Sequence, residues 1–292
     1  MIHKPVLLKE VIYYLKPLKN ENFIDATFGF GGHSFELIKY IKPKGKILAL
    51  EWDPYLVEII KSKIMKEKNI TLKNKNFKYI KKVVKEEKIT NIKGVIFDLG
   101  ISNWHYKNSS RGFSFEDNNS LDMRINPYEI KLTAFEVINY FSQNKLVEIF
   151  SKYGEEKRAN IIAEEIVKKR KEKKIKSAYE LSKIISNLRI KKRSKLNPAT
   201  KIFMSLRMFI NQELENLEIG LNEAYEVIVK GGRIAIITFN GLEDRVVKKV
   251  FKSLKTKGAI MITKNVVKPK FKEIKENSSA RSAKLRVIEK NE

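Results

Sequence analysis

Three short segments of the chain hold the residue types that could bind a small ligand and do chemistry on it. The first is Asp25-Ala-Thr27-Phe-Gly29-Phe-Gly31-Gly32-His33. Glycines at such a turn let the backbone adopt positive φ and approach a ligand closely. The second, Glu51-Trp52-Asp53, follows about twenty residues later, where a carboxylate can accept two hydrogen bonds from a ribose diol. The third is the polar turn Asp98-Leu-Gly-Ile-Ser102. Each candidate has a plain structural alternative. His33 either meets the ligand or caps the helix that follows. Asp98 either faces the ligand or is a cap or turn residue. Phe77 is either an apolar wall for an adenine ring or ordinary core.

The elements that must position these residues can be read from hydrophobic spacing. Short apolar runs at 23–28, 46–52, 70–72 and 94–99 read as strands, and 33–41, 55–66 and 77–86 have helical periodicity. That alternation predicts parallel βαβ units with helices on both faces of a sheet. In such sheets ligands bind outside the carboxyl ends of the strands, where all three segments fall. Two details favour S-adenosylmethionine over NAD. Gly29-x-Gly31-Gly32 lacks the third glycine of the dinucleotide fingerprint. A sulfonium donor, having no pyrophosphate, needs carboxylates and backbone carbonyls more than an anion-binding helix terminus.

Beyond Asn103 the pattern changes. Residues 103–127 are rich in Asn, Ser, Asp and Arg with no long periodic run, which predicts an extended functional loop. Helical segments follow at 132–139, 144–152 and 159–167, and Ser177-Ala-Tyr-Glu180 spells a capping box before another. Asn197-Pro198 opens a long, bent helix expected to end at Gly231-Gly232. Strands at 233–238, 259–263 and 284–289 and a helix at 242–254 then restore the α/β pattern. The expectation is one discontinuous ligand-binding domain, 1–102 with 201–292, interrupted by a loop and helical domain at 103–200.

Lys+Arg 60 against Asp+Glu 34 gives a net charge of +26. Lysine supplies 49 of the 60, so compositional drift accounts for the total as readily as a polyanionic partner does. The distribution says more. Residues 151–200 hold 16 Lys/Arg against 6 acids, and 251–292 hold 12 against 4, whereas 101–150 and 201–250 are balanced. A basic face of this kind suits nucleic-acid phosphates, with affinity that falls steeply in salt. The absence of cysteine excludes a disulfide scaffold, a thiolate metal site and a cysteine nucleophile. The three histidines show no metal-binding spacing, no apolar run is long enough for a membrane span, and the opening segment does not read as a signal peptide. A cytoplasmic protein without metal is expected.

The chain resembles the bacterial small-subunit rRNA methyltransferase H family, also called MraW. The resemblance rests on His3-x-Pro5-Val-Leu-Leu-x-Glu10, Asp25-x-Thr27-x-Gly29-x-Gly31-Gly32-His33-Ser34 and Asp98-Leu-Gly-x-Ser102. It continues through Arg111-Gly-Phe-Ser-Phe115, Leu121-Asp-Met-Arg124, Arg207-x-x-x-Asn211-x-Glu213-Leu214, Leu242-Glu-Asp-Arg245 and Ala280-Arg-Ser282, in the family's order over nearly the whole chain.

The resemblance implies a class I, Rossmann-like methyltransferase sheet with an inserted helical domain. It also implies S-adenosylmethionine-dependent N4-methylation of a decoding-centre (P-site) cytosine in 16S rRNA of the small ribosomal subunit. Cofactor contacts carried over are Gly31, Gly32, His33, Glu51, Phe77, Asp98 and His105. The family commonly has Asp at 51 and Gln at 105, and Asn240-Gly241 and Asn277-Ser-Ser279 also depart from its pattern. Asp98 and Ser102 are the candidates for handling the amine as it is methylated. Arg111, Phe113, Arg124, Arg207, Arg245 and Arg281 are the candidate RNA contacts, with internal pairing of Arg111 and Arg124 to Glu116, Asp117 or Asp122 as the alternative. The oligomeric state, monomer or homodimer, is open. A non-catalytic RNA-binding assembly factor with an idle cofactor pocket is the competing reading. An NAD oxidoreductase fits the glycine spacing poorly, and a DNA cytosine-N4 enzyme would need a Pro-Pro-aromatic turn at 98–102.

Overall fold

The protein is described by a computed structural model over residues 5–188 and 197–291; His3 and the basic run 189–196 lie outside the described residues. The chain divides into two compact units, Met1–Gly100 with Leu214–Glu292, and Ile101–Glu213. In chain order the first unit begins with α1 (Leu8–Leu15), β1 (Asn22–Asp25), α2 (Gly32–Ile41), β2 (Ile47–Glu51), α3 (Pro54–Ile64), β3 (Ile70–Asn74), α4 (Ile80–Glu86) and β4 (Ile92–Asp98). The second unit contains α5 (Asn103–Lys107), α6 (Ala134–Tyr140), α7 (Gln143–Gly154), α8 (Ala159–Glu172), α9 (Ala178–Asn187) and α10 (Thr200–Ile210). The first unit resumes with α11 (Glu213–Val227), β5 (Ile228–Thr238), α12 (Gly241–Lys255), β6 (Ile260–Met261), α13 (Phe271–Glu276) and β7 (Lys284–Glu289).

The strands form a seven-stranded sheet ordered β3-β2-β1-β4-β5-β7-β6. β1 to β5 are parallel, and β7 runs antiparallel to both β5 and β6. Strands buried on both faces alternate between two cores. Ile24, Leu48, Val95, Phe97, Ile234 and Ile236 point to the face covered by α4, α11 and α12. Phe23, Ile47, Ile96, Ala235 and Ile237 point to the face covered by α1 and α2. The chain leaves β1 toward β2 and β3, then returns to β4 on the other side, so the direction of winding reverses between β1 and β4. That crevice is where an open α/β sheet binds its ligand.

After Pro198 two features differ from the sequence reading. The long helix expected after Pro198 is two helices, because Gln212 takes φ +50 between α10 and α11. The buried Asn211 side chain holds that break, bonding the Ile125 N–H at 2.7 Å and the Met123 carbonyl at 2.8 Å. α11 also ends at Val227, not at the glycines. Gly231 and Gly232 lie inside β5, where the Gly231 (φ +75) N–H donates to the Lys290 carbonyl, the Gly232 carbonyl accepts the Lys290 N–H, and the pairing with β4 shifts register.

Candidate active site

The last residue of each parallel strand is polar. Across the sheet these ends read Asn74 (β3), Glu51 (β2), Asp25 (β1), Asp98 (β4) and Thr238 (β5). The body of the sheet is apolar, so three carboxylates on three neighbouring strands stand together at the rim of the switch point.

The glycine turn threads between them. The Thr27 hydroxyl accepts the Asp98 N–H at 2.6 Å, and Glu51 Oε2 accepts the Gly29 N–H at 3.0 Å, which fastens the turn to β4 and β2. Glu51 Oε1 takes the Asp53 N–H at 2.8 Å. Each carboxylate oxygen retains a second lone pair for a ribose hydroxyl. Asp53 itself is the N-cap of α3, bonding the Tyr55 and Leu56 amides.

Gly31 (φ +77) and Gly32 turn the chain into α2. A Cβ on Gly31 would sit 2.7 Å from ring atoms of both Phe28 and Phe35, and one on Gly32 would sit 3.0 Å from the Pro5 ring. Gly31→Ala, which combines left-handed strain with overpacking, is expected to lower stability by about 2–4 kcal/mol. Urea unfolding checks this, and an unchanged midpoint would show that the turn relaxes freely.

His33 is buried and does not cap α2. Its Nε2 lies 3.0 Å from the Val6 carbonyl, and its Nδ1 lies 3.7 Å from Asp98 Oδ2. A carbonyl accepts only, so Nε2 carries the proton and Nδ1 faces the carboxyl group. Ser34 donates to Asp25 Oδ2 at 2.6 Å, and the Thr27 amide donates to Oδ1. Glu243, at the start of α12, is buried and accepts the Phe239 N–H.

Crowding these acids at a largely buried rim favours their protonated forms. Burial raises the Asp98 carboxyl to about 8, with the charges of Asp25 and Glu243 adding to it, although 17% of the side chain remains exposed. Burial likewise raises Glu51 to about 7 and Asp25 to about 6, the latter held down somewhat by the Ser34 hydroxyl. Asp98 Oδ1 and Thr238 Oγ1 are buried and have no hydrogen-bond partner among the described residues. Phe77 stands half-buried at the edge of the core, its ring edge-on to Phe97 at 5.5 Å and closely backed by Gly220 of α11. Core packing therefore accounts for one side of its ring.

In the second unit the remaining candidates are tied to one another. Ser102 is the N-cap of α5. Its amide donates to His105 Nδ1 at 3.2 Å, and its Oγ lies 3.0 Å from the same nitrogen. His105 thus fills the third helical position of a capping box, where Glu or Gln usually supplies the acceptor.

The loop arginines turn inward, as in the alternative that the sequence left open for Arg111 and Arg124. Arg111 is buried, donates to the Arg124 and Ile125 carbonyls, and lies over the rings of Trp104 and Phe113. Phe113 is buried edge-on to His105. Arg124 is bidentate to Asp122, with a further bond to the Ile130 carbonyl. Arg207 is bidentate to Glu213 at 2.7 and 2.9 Å. A loop with little apolar content folds by satisfying its own carbonyls, and long guanidinium forks do that. Arg245 and Arg281, by contrast, are exposed. Sequence reasoning did not single out Asp25 and Glu243 as site residues, although both lie in motifs it quoted; their position beside Asp98 is visible only once β1, β4 and α12 are assembled.

The residues fit a cationic methyl donor. Several carboxylates converge, one oxygen of Asp98 is buried without a partner, and the glycine turn leaves its backbone at the rim. Together with the strand order and the antiparallel β7, this defines a Rossmann-like S-adenosylmethionine-dependent methyltransferase. Among the described residues no group of His, Asp and Glu is arranged to hold a metal ion, and no helix is long and apolar enough to cross a membrane.

The chain belongs to the MraW methylase family, whose model matches residues 1–291. Its relatives include proteins named Ribosomal RNA small subunit methyltransferase H. That of Sulfurihydrogenibium azorense is 42% identical, covering 98% of each chain. That of Dictyoglomus thermophilum is 39% identical over 100% of this chain and 97% of its own. That of Persephonella marina is 40% identical over 99% of both.

Proposed function

We propose that this methyltransferase transfers a methyl group to N4 of a decoding-centre (P-site) cytosine in 16S rRNA of the small ribosomal subunit, in the cytoplasm. The observation that carries this reading is full-length similarity at about 40% identity to relatives named for small-subunit rRNA methylation. The strand-end carboxylates supply its chemistry.

S-adenosylmethionine, when bound, supplies an electrophilic methyl carbon on a sulfonium. Glu51 would hold the ribose hydroxyls, the Gly31 and Gly32 backbone and Phe77 would border the cofactor, and His33 would fix the Asp98 carboxyl. Cytosine N4 is a weak nucleophile because its lone pair is delocalised into the ring, so it must be aligned and relieved of a proton as it gains the methyl group. Asp98, with one unpartnered oxygen and a pKa near the operating pH, accepts that proton. Ser102, four residues on, is assigned to hydrogen-bond the amine, with His105 setting its orientation. The base must leave its stack to reach such a pocket. Arg245 and Arg281 are assigned to phosphates, whereas Arg111, Phe113, Arg124 and Arg207 shape the substrate loop. The test is methyl transfer from radiolabelled S-adenosylmethionine to small subunits lacking the modification, with the product nucleoside identified by mass. Label recovered as N4-methylcytidine supports the reading, and label on any other nucleoside, or none, overturns it.

A further inference from the structure

Between β6 and β7 the chain runs Lys268-Pro269-Lys270 and enters α13 at Phe271-Lys272. Phe271 is 82% exposed, and Lys268, Lys270 and Lys272 beside it are exposed as well. A single exposed phenylalanine is unremarkable on its own. Here, however, it stands among cations that form no ion pair among the described residues, while many other lysines in the molecule have a carboxylate, such as Lys81 with Glu226 or Lys249 with Glu218. Lys264, Lys275 and Arg281 extend the exposed positive charge on either side.

The segment is also fixed in place. Val267, before it, exchanges two backbone hydrogen bonds with Leu285 of β7, at 3.0 and 2.8 Å. Glu273, after it, accepts the Leu7 N–H at 2.7 Å. Five residues carrying one aromatic ring and three cations are therefore held outward between two anchors. A ring carried on an anchored backbone stacks on a base with less ordering cost than one on a free loop, and flanking cations at this spacing follow a phosphate backbone.

We propose that residues 268–272 are a docking platform for single-stranded RNA, with Phe271 stacking on a base and Lys268, Lys270 and Lys272 contacting phosphates. The inference rests on the rRNA substrate proposed above and adds a second contact outside the cofactor crevice. RNA fits better than a membrane or a second protein copy because the patch pairs a single flat ring with dense positive charge, and it lacks the broad apolar area that either of those would cover.

The test uses the full chain and a short single-stranded oligoribonucleotide, with binding followed by fluorescence anisotropy across a salt series. Phe271→Ala is expected to weaken binding about tenfold, within the range for losing one stacked base. Phe271→Trp is expected to restore it. Lys270→Gln with Lys272→Gln should lower the slope of log affinity against log salt by about 1.4, at roughly 0.7 per phosphate contact. S-adenosylmethionine affinity should not change in any variant. Unchanged RNA affinity in Phe271→Ala overturns the proposal, as does a loss of self-association or of anionic-vesicle binding in place of RNA binding. Wild-type enzyme that methylates small subunits while Phe271→Ala retains the same KM defeats only this inference. Wild-type enzyme that transfers no methyl group to them defeats the proposed function itself.

Discussion

Asp98→Asn is expected to lower the rate of methyl transfer by about 100-fold or more, the usual scale for removing a positioned acid-base group. Asparagine keeps the size and one carbonyl oxygen of the side chain but can neither take the amine proton nor carry charge. The fold should tolerate it well, because Asp98 is held in its carboxyl form by burial and by the charges of Asp25 and Glu243. The sign for stability follows from linkage. A carboxyl near 3.8 in the unfolded chain and about 8 in the ligand-free fold binds its proton more tightly when folded, so stability is lost as pH rises through that window. Asp98→Asn escapes this loss, and its melting temperature should gain on that of the wild type as pH rises toward 8. For activity the direction reverses. Wild-type kcat/KM should climb with pH and level off above about 8, while the residual activity of the variant should lack that rise. Single-turnover assays on unmodified small subunits across pH decide the matter. A well-folded variant with near-normal turnover would remove Asp98 from the reaction.

Much of this site was legible in the sequence for a physical reason. A parallel sheet buried on both faces must be apolar along its strands, so a carboxylate at the end of each apolar run marks the rim, as Glu51 and Asp98 do. The apolar run at 233–238 and the glycine turn at 29–32 were equally plain. What stayed hidden lacks a familiar local signal or depends on partners distant in sequence. α1 is flanked by Leu7 and Lys16, both in left-handed backbone, with no capping side chain to announce it. The break at Gln212 is held by Asn211 reaching Met123 and Ile125, more than eighty residues earlier. Arg111 and Arg124 look alike in a sequence whether they face phosphate or carbonyl, and only the folded loop shows that its own carbonyls claim them. His105 reads as a departure from a ligand contact, yet its Nδ1 supplies the acceptor that the Ser102 cap requires.

The second large effect concerns charge in the crevice before the reaction begins. With Asp25 near 6, Glu51 near 7 and Asp98 near 8, the ligand-free site still holds part of its protons at neutral pH. A sulfonium favours the ionised carboxylates, so binding S-adenosylmethionine should displace protons, and its affinity should rise with pH. Linkage limits the rise to about tenfold per pH unit for each proton displaced. Between pH 6 and 8 the dissociation constant should therefore fall on the order of 10- to 100-fold, levelling above the Asp98 value. The demethylated product carries a neutral thioether in place of the sulfonium and should show a much shallower dependence, so the preference for donor over product should be greatest at the pH where the donor binds best. Glu51→Gln keeps an acceptor for the ribose but withdraws one titrating charge, so it should weaken donor binding and flatten the slope at its lower end. Calorimetry in buffers of different ionisation enthalpy counts the protons directly. Equal pH slopes for donor and product would mean that the carboxylates grip the nucleoside alone and that the sulfonium charge is recognised elsewhere.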